Sequence, residues 1–281
     1  MAKKFPVNTG ALKSIDELDT GTVWVLKSLP EDAFFTIGEI ATDWDGDPKA
    51  YGNKRKHPEI SPHDHLGNAG HTGKWWGVVT NNGKKNGAPI EQSGVGPAQP
   101  YKNYMISATK LVETRYPETD VRRWTDATQI PYVALPNSRR SMVKMGLTTG
   151  CYCVLVNLQS MKFCFGVYAD SKAAKARMGE ISKRAVDLLG NQDGSIFIIV
   201  FPKSGQGQGI IPDEQTIQSK TREELKQYSQ RDTGDHLVKA FAKITNLSAR
   251  LIQAGYVSNT PFADIDIDGD IEVVGTFGRT R

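Results

Sequence analysis

Residues 151–170, CYCVLVNLQSMKFCFGVYAD, contain two apolar runs that are separated by a short polar segment. Runs of this length that are rich in β-branched and aromatic residues are typical of buried strands. We therefore predict strands over 151–158 and 162–169, joined as a hairpin. The second run stops at an acid, Asp170, and ten residues later a second acid, Glu180, opens a segment with helical spacing. The two carboxylates are either surface charges at a loop or two halves of an acid/base pair.

Further strand patterns lie on both sides of this hairpin. A helix is predicted over 179–190, because Gly190 is suited to a C-terminal cap. Many short strands at close spacing with one helix favour a small closed barrel. The additional predicted strands occupy 21–45 (two runs around a proline-containing turn), 104–111, 131–136 and 195–202.

Residues 46–103 form a long stretch in which apolar periodicity disappears. A stretch of this kind within a compact domain is typical of a functional loop or of disorder. The motif KWWGVVTNNGK argues against disorder, because Trp75–Thr80 has a strand pattern and NNGK is a hairpin turn signal.

The character of the chain changes after GQGQG, residues 205–209. Thr221 and Glu224 have the spacing of a helix-capping box, and a second amphipathic helix is predicted to end at Gly255. The last segment alternates acids with apolar residues, as an exposed hairpin does. We therefore predict an N-terminal extension (1–30), a β-barrel domain (31–209) and a C-terminal helical extension with a terminal hairpin (210–281).

Composition excludes several classes of protein. The net charge of +4 is too small and too scattered for a dedicated nucleic-acid binder. We expect no membrane span and no secretory signal peptide, because no apolar run is long enough. The three cysteines, Cys151, Cys153 and Cys164, lie in the hairpin strands, where buried thiols are expected. A disulfide from Cys164 to Cys151 or Cys153 stays open as an alternative.

Motifs that suggest metal or phosphate sites have simpler explanations. Four histidines lie in residues 57–71, but a Pro/Gly-rich loop offers no element to fix metal geometry. DIDIDGDIE, residues 264–272, begins like a calcium loop, yet Gly275 stands where a bidentate glutamate belongs. GQGQG lacks the Lys-Ser/Thr pair of a phosphate-binding loop, and no Gly-x-Ser-x-Gly elbow occurs. We predict no metal and no cofactor.

Acidic residues are better candidates. DWDGDPKAYG places Asp43, Asp45 and Asp47 at a strand end, close in sequence to Tyr51. A polar turn explains them equally well, since Asp-Gly is a common turn dipeptide. Glu180 alone could stabilise a helix dipole, and Asp170 alone could end a strand.

Six separated motifs together resemble glycoside hydrolase family 75, the fungal-type chitosanases and their bacterial relatives. The family pattern runs Asp-x-Asp-Gly, Val/Ile-Pro-Tyr-x-Val-Leu-Pro, a strand ending in Asp, and Gly-Glu-x-Ser. The resemblance covers roughly residues 34–205. The motifs are DWDGDPKAYG, WWGVVTNNGK, YMISATKL, RRWTDATQIPYVALP, FGVYAD with MGEIS, and IIVFPKSG.

The resemblance implies an inverting endo-hydrolase on a six-stranded double-psi-type β-barrel, mixed β with α, that cleaves β-1,4 bonds of an amino-sugar polymer. By position, Asp170 and Glu180 correspond to the two catalytic carboxylates of the family. Inversion needs one acid to protonate the leaving oxygen and one base to activate water. The implied substrate-binding residues are Asp45, Tyr51, Trp75, Trp76, Arg123 and Tyr132.

Two departures from the family affect the expected substrate. Ala134 replaces a β-branched residue, and the loop after Asp170 is basic, with Lys172, Lys175 and Arg177. These charges would repel chitosan, a polycation, and attract the peptide carboxylates of peptidoglycan. Both polymers stay open as the polysaccharide substrate.

Two rival functions also stay open. A peptidoglycan lytic transglycosylase or muramidase would act as a secreted antibacterial effector or a phage lysin. A non-catalytic glycan-binding module would use the exposed aromatic side chains alone. We expect action outside the producing cytoplasm by non-classical export, and an effector would add an immunity or delivery protein as partner.

Overall fold

The computed structural model describes residues 12–18, 21–26, 32–136, 140–160, 162–172, 178–190, 194–205, 207–231 and 275–276. They form a mixed β and α structure in which a large sheet curls into a half-barrel. The strands are β1 (Leu12–Leu18), β2 (Gly21–Leu26), β3 (Phe34–Glu39), β4 (Ala41–Asp43), β5 (Gly70–His71), β6 (Lys74–Trp75), β7 (Tyr132–Pro136), β8 (Tyr152–Asn157), β9 (Lys162–Lys172), β10 (Glu180–Ser182), β11 (Ser195–Val200) and β12 (Gly275–Thr276). The α-helices are α1 (Arg140–Lys144), α2 (Lys183–Leu189) and α3 (Glu214–Arg231), and short 3-10 helices span Leu66–Ala69 and Val121–Arg123.

The main sheet has the strand order β1-β2-β3-β11-β8-β9-β7-β10-β4, and β12 pairs with β9. Its pairs are antiparallel except β7 with β9 and β10 with β4, which are parallel. Only Ile40 separates β3 from β4, yet β3 pairs with β11 and β4 pairs with β10, distant in the order. This nearly continuous segment brings distant parts of the strand order together, so the sheet curls.

Both faces of the sheet are buried, which explains the continuous apolar runs in β8 and β11. On one face Phe35 stacks on Phe197, and Tyr228 of α3 packs edge-on against Phe35. On the other face Ile198 belongs to a cluster that includes Leu188 of α2. Burial of each such aliphatic or Phe side chain contributes roughly 1.5–3 kcal/mol. The predicted hairpin over 151–169 is confirmed as the antiparallel pair β8–β9.

The three cysteines are buried free thiols, as the sequence predicts, and the alternative disulfide is not formed. Burial raises the pKa of the Cys153 and Cys164 thiols. These groups therefore stay protonated and unreactive at neutral pH.

Two predicted helix starts are wrong. Residues 180–182 form β10 because they pair with β4, and α2 begins only after Ser182, whose Oγ accepts the N–H of Ala185. The left-handed cap at Gly190 is confirmed. The predicted capping box at Thr221 lies inside α3, where the Thr221 hydroxyl donates to a backbone carbonyl one turn earlier. Asp213 instead accepts an N–H of the first turn of α3.

The strand predicted over 104–111 is also wrong, and of the strand predicted over 75–80 only Trp75 lies in a strand, β6. Residues 104, 105 and 107 form isolated bridges with three different segments, so no continuous ladder develops. Residues 78 and 80 likewise form single bridges with separate partners.

Several predicted features lie outside the described residues. They are most of the N-terminal extension, the second helix of the C-terminal extension, the calcium-like segment 264–272, and the side chains of Lys172, Lys175 and Arg177. Within the described part of the chain, no helix is long and apolar enough to cross a membrane.

Candidate active site

A cavity of about 990 Å³ is lined by residues of β4, β9 and β10 and by the irregular region 44–124. This volume lies at the upper end of the range for ligand-binding pockets. Its acidic lining residues are Asp43, Asp45, Asp64, Glu118, Asp170 and Glu180. Its aromatic lining residues are Trp44, Tyr51, Trp75, Trp76 and Trp124.

Asp170 reaches the cavity from a bulge in β9. Val133 pairs with Tyr168 and Ala134 pairs with Asp170, so Ala169 is an extra residue on β9. Its carbonyl oxygen accepts the backbone N–H groups of residues 110 and 111, at 3.0 and 2.8 Å. Because a bulge re-aims the side chains beside it, Asp170 lies within β9 rather than at its end, and still faces the cavity.

Asp45 follows β4 in a turn held by side chains. Its backbone N–H donates to Asp43 Oδ1 at 2.9 Å. Its own Oδ1 accepts the hydroxyls of Tyr51 at 2.7 Å and Ser107 at 3.2 Å. Its carbonyl oxygen accepts the hydroxyl of Tyr132 at 2.9 Å. Four contacts therefore hold both the backbone and the carboxylate of Asp45 in place.

Carboxylate oxygens of Asp43, Asp45 and Asp170 lie within 4.8 Å of one another. Burial, followed by the charge of Asp43, raises the pKa of Asp45 well above its ordinary value. Burial and the charge of Asp43 also raise the pKa of Asp170 to about 8, although the Ser171 N–H and Lys110 lower it. Because both pKa values are raised, the Asp45 and Asp170 carboxyl groups hold their protons near neutral pH.

The same three aspartates are the group in the described residues whose donor atoms could hold a divalent cation. A cation and the protons of Asp45 and Asp170 compete for these oxygens, because the cation would require both carboxyl groups to be ionised.

Glu180 lines the same cavity from β10, where its Cα pairs with that of Ala41 on β4. The backbone that leads into Glu180 passes close to the end of β3. A Cβ on Gly179, whose φ is +106°, would lie 2.2 Å from the carbonyl oxygen of Glu39, and a Cβ on Gly38 would lie 2.0 Å from that of Met178. Glycine at both positions is therefore required for the strand crossing that places Glu180.

The structure separates the predicted substrate-binding residues into two groups. Asp45, Tyr51, Trp75 and Trp76 line the cavity. Trp76 is 51% exposed, whereas Trp75 is 9% exposed and packs in a core cluster with Tyr51. Only the Trp76 ring is therefore accessible over a large area for stacking.

Tyr132 and Arg123 do not line this cavity. Tyr132 is fully buried and contacts the site through its hydrogen bond to the Asp45 carbonyl oxygen. The Arg123 guanidinium donates to the Tyr116 carbonyl oxygen at 2.6 Å. Both side chains therefore stabilise the irregular region around the cavity.

The histidines and Asp47 have separate partners. His63 Nδ1 lies 2.5 Å from Asp47 Oδ2, and His57 lies near two glutamates. His65 accepts a backbone N–H of the first 3-10 helix, and His71 packs edge-on against Trp76. The metal interpretation of the histidine-rich loop has no support from these contacts.

Residues that the sequence did not single out complete the cavity. Trp44 lies between two acids in the sequence, and its ring contacts that of His63 at 4.8 Å between centroids. Lys74, Lys84 and Lys85 also line the cavity. The motifs KWW and NNGKK contain these lysines, but their common location depends on tertiary hydrogen bonds.

No protein-family model matches the chain, and no curated protein matches it at a significant level. A functional assignment therefore depends on the geometry and chemistry of the cavity.

Proposed function

We propose that the protein is a glycoside hydrolase, chitosanase-like, that cleaves β-1,4 bonds of an amino-sugar polymer by an inverting two-carboxylate mechanism. The observation that carries this proposal is the close, buried pair of carboxyl groups Asp45 and Asp170, both with raised pKa, in a large cavity that Glu180 also lines. A carboxylic acid that stays protonated near neutral pH is what glycoside cleavage requires of its general acid.

Asp170 is the general acid in this proposal. Its raised pKa keeps a proton available for the glycosidic oxygen of the leaving sugar. Asp45, whose pKa is also raised, carries a proton of its own and is held by Tyr51 and Ser107. When Asp170 gives its proton to the leaving oxygen, Asp45 keeps its own proton and can donate a hydrogen bond to the new carboxylate.

Glu180 is the general base. It is half-buried and lines the cavity from β10, a different element from the β9 strand that carries Asp170. Inverting enzymes need room for a water molecule between the base and the anomeric carbon. Glu180 would take a proton from that water as its oxygen attacks the anomeric carbon, while the bond to the leaving oxygen breaks.

The curled sheet is compatible with the six-stranded double-psi-type barrel that the proposal includes. If β3 and β4 count as one strand through Ile40, the pairing order β3/β4-β11-β8-β9-β7-β10 returns to β4. Six strands would then surround one core.

Amide substitutions of the two acids test the proposal. Asp170→Asn and Glu180→Gln keep side-chain shape and remove the ionisable group, so each should lower kcat about 10²–10⁴-fold. Matched controls are Asp187→Asn and Glu223→Gln, two exposed acids in surface ion pairs. Products from chitosan oligomers and from purified peptidoglycan are identified by mass spectrometry. Activity of both variants within about twofold of the parent, far below that range, would refute the assignment.

A protonated Asp170 also supports a second candidate, a peptidoglycan lytic transglycosylase. One carboxyl group can then act as acid and afterwards as base, with no attacking water. This enzyme would yield anhydro-sugar ends and would tolerate Glu180→Gln. A glycan-binding module would bind the polymer and yield no product.

The proposed activity also bears on where the protein works. Chitosan and peptidoglycan are both found outside the cytoplasm, so the enzyme would act outside the producing cytoplasm. An antibacterial effector of this kind would have an immunity or delivery protein as partner.

A further inference from the structure

The wall of the cavity formed by residues 74–85 carries three lysines, Lys74, Lys84 and Lys85. All three side chains are exposed, and in the described part of the chain no carboxylate forms an ion pair with any of them. The term lysine wall is used here for these three residues. Three cations without a carboxylate partner in one wall favour an anionic ligand.

Backbone hydrogen bonds hold the lysine wall together. Lys74 lies in β6, which pairs with β5. The Trp75 N–H donates to the Lys85 carbonyl oxygen at 2.7 Å, and the Thr80 hydroxyl donates to the Lys84 carbonyl oxygen at 2.7 Å. Trp75 is itself buried in a core cluster. The three lysines therefore extend from one braced segment, although they are up to eleven residues apart in sequence.

The lysine wall adjoins an aromatic surface. Trp76 follows Lys74 by two residues, lines the same cavity, and donates its indole N–H to the Asn68 carbonyl oxygen at 2.9 Å. A fixed and exposed indole face can stack on a sugar ring. Asp64, another acid of the lining, is bonded to the His65 N–H and the Asn68 amide. It therefore has other partners than the lysines.

From this arrangement we infer that the lysine wall binds carboxylate groups carried by the sugar strand, so the substrate of the proposed hydrolase is an anionic amino-sugar polymer. The inference rests on the proposed function for the identity of the ligand as a sugar strand. The new points are the negative charge of the bound strand and its recognition by Lys74, Lys84 and Lys85. A fully deacetylated, polycationic strand would be repelled by the same three lysines.

Binding by the full-length Asp170→Asn protein separates this inference from the proposed activity. One probe is the peptidoglycan strand stripped of its peptides, which keeps the lactyl carboxylate. The second is the same strand with its carboxylates converted to methylamides, and the third is the strand with peptides attached. Affinities are measured by calorimetry at low and high salt.

The triple variant Lys74→Gln/Lys84→Gln/Lys85→Gln should bind the stripped strand about tenfold more weakly, equivalent to about 1.4 kcal/mol. Its affinity for the amidated strand should stay within about twofold, and its salt dependence should be smaller, because exposed ion pairs are screened. The control Lys54→Gln/Lys102→Gln/Lys144→Gln removes three exposed lysines outside the cavity lining and should change neither affinity. The variant Lys74→Arg/Lys84→Arg/Lys85→Arg should keep the preference for the charged strand over the amidated strand.

The outcomes separate the two ideas. If the triple Gln variant loses equal affinity for the charged and the amidated strands, the inferred role of the lysine wall is overturned. Unchanged affinity of that variant for both strands overturns it as well. If the parent binds only the strand with peptides attached more tightly than the amidated strand, the recognised carboxylates are those of the peptides. If it also binds the stripped strand more tightly than the amidated strand, they are the lactyl carboxylates. Charge-dependent binding by a parent protein that releases no product overturns the hydrolase and leaves the lysine wall in place. If the triple Gln variant fails to fold, Lys84→Gln/Lys85→Gln should show the same selective loss at smaller size.

Discussion

Asp43→Asn isolates the charge that acts on the proposed general acid. Among neighbouring charges, Asp43 contributes most to the raised pKa of Asp170. Asparagine keeps a side-chain oxygen that can accept the Asp45 N–H, as Asp43 Oδ1 does at 2.9 Å. The substitution therefore removes one charge and preserves the turn that positions Asp45.

The size of the effect follows from the geometry. The carboxylate oxygens lie no more than 4.8 Å apart. At that distance, Coulomb's law gives about 0.9 kcal/mol with the dielectric constant of water and about 3.5 kcal/mol with an effective value of 20. Since one pKa unit equals 1.36 kcal/mol, Asp43→Asn should lower the pKa of Asp170 by ~0.6–2.5 units.

The direction of the pH effect is determined by the role of the acid. A general acid works only while protonated, so activity falls as pH rises through the pKa of Asp170, about 8 in the parent. In Asp43→Asn the alkaline limb of the kcat profile should move to lower pH. At pH 7 the loss should range from less than twofold to about thirtyfold, and at pH 5 it should largely disappear.

Two measurements check this prediction. The first is the pH profile of kcat on a soluble oligomer, with Asp187→Asn, a surface substitution, as the control. The second is a ¹³C-carboxyl titration by nuclear magnetic resonance, which reports the pKa of Asp170 whether or not the protein is active. If the alkaline limb of the kcat profile and the pKa of Asp170 both stay unchanged in Asp43→Asn, or both move to higher pH, Asp43 does not raise the pKa of Asp170.

Three more experiments give sharp expectations. Asp170→Asn should raise the thermal unfolding midpoint at pH 8. The folded-state pKa of Asp170, about 8, exceeds its unfolded value, so the parent protein loses stability as pH rises between these two values. The gain in unfolding midpoint should therefore vanish near pH 4. An equal gain at pH 4 and pH 8 would contradict this reasoning. Gly179→Ala should lower the unfolding free energy by several kcal/mol and Gly73→Ala by about 1 kcal/mol, because both glycines have positive φ but only a Cβ at Gly179 would meet a backbone oxygen. Equal losses measured by urea titration would count against the close approach of Gly179 to β3. Trp76→Ala should weaken oligomer binding by about 0.5–1.5 kcal/mol at unchanged stability, whereas Trp75→Ala should lower the unfolding free energy by about 3–5 kcal/mol; the reverse pattern would exchange their roles.

The main strands could be predicted from sequence because their burial on both faces leaves a local signal. β8, β9 and β11 are continuous apolar runs, so composition and length alone identify them. β10 could not be identified in this way. Glu180–Ser182 pairs in parallel with β4 over three residues, and that pairing, rather than local propensity, decides where α2 begins.

The candidate site was only partly predictable for a related reason. Asp170 and Asp45 follow strand patterns and could be proposed individually. The close approach of their carboxyl groups depends on the bulge at Ala169 and on the hydroxyls of Tyr51 and Ser107, which are tertiary features. The NNGK turn signal indicates that the chain returns towards residue 75, but the sequence alone does not indicate that Lys74, Lys84 and Lys85 line the same cavity as the acids.

The charges of the two parts of the cavity can act on each other through the substrate. Lys110 already lowers the pKa of Asp170, so the ammonium groups of a bound polycation would lower it further and deprive the acid of its proton. Carboxylates held at the lysine wall would have the opposite effect and help to keep Asp170 protonated. If the proposed activity and the lysine wall both hold, an anionic strand is favoured twice, once in binding and once in the protonation state that cleavage requires. The alkaline limb of the pH profile should accordingly lie at higher pH for an anionic oligomer than for its amidated counterpart, and identical limbs would show that substrate charge does not reach the acid.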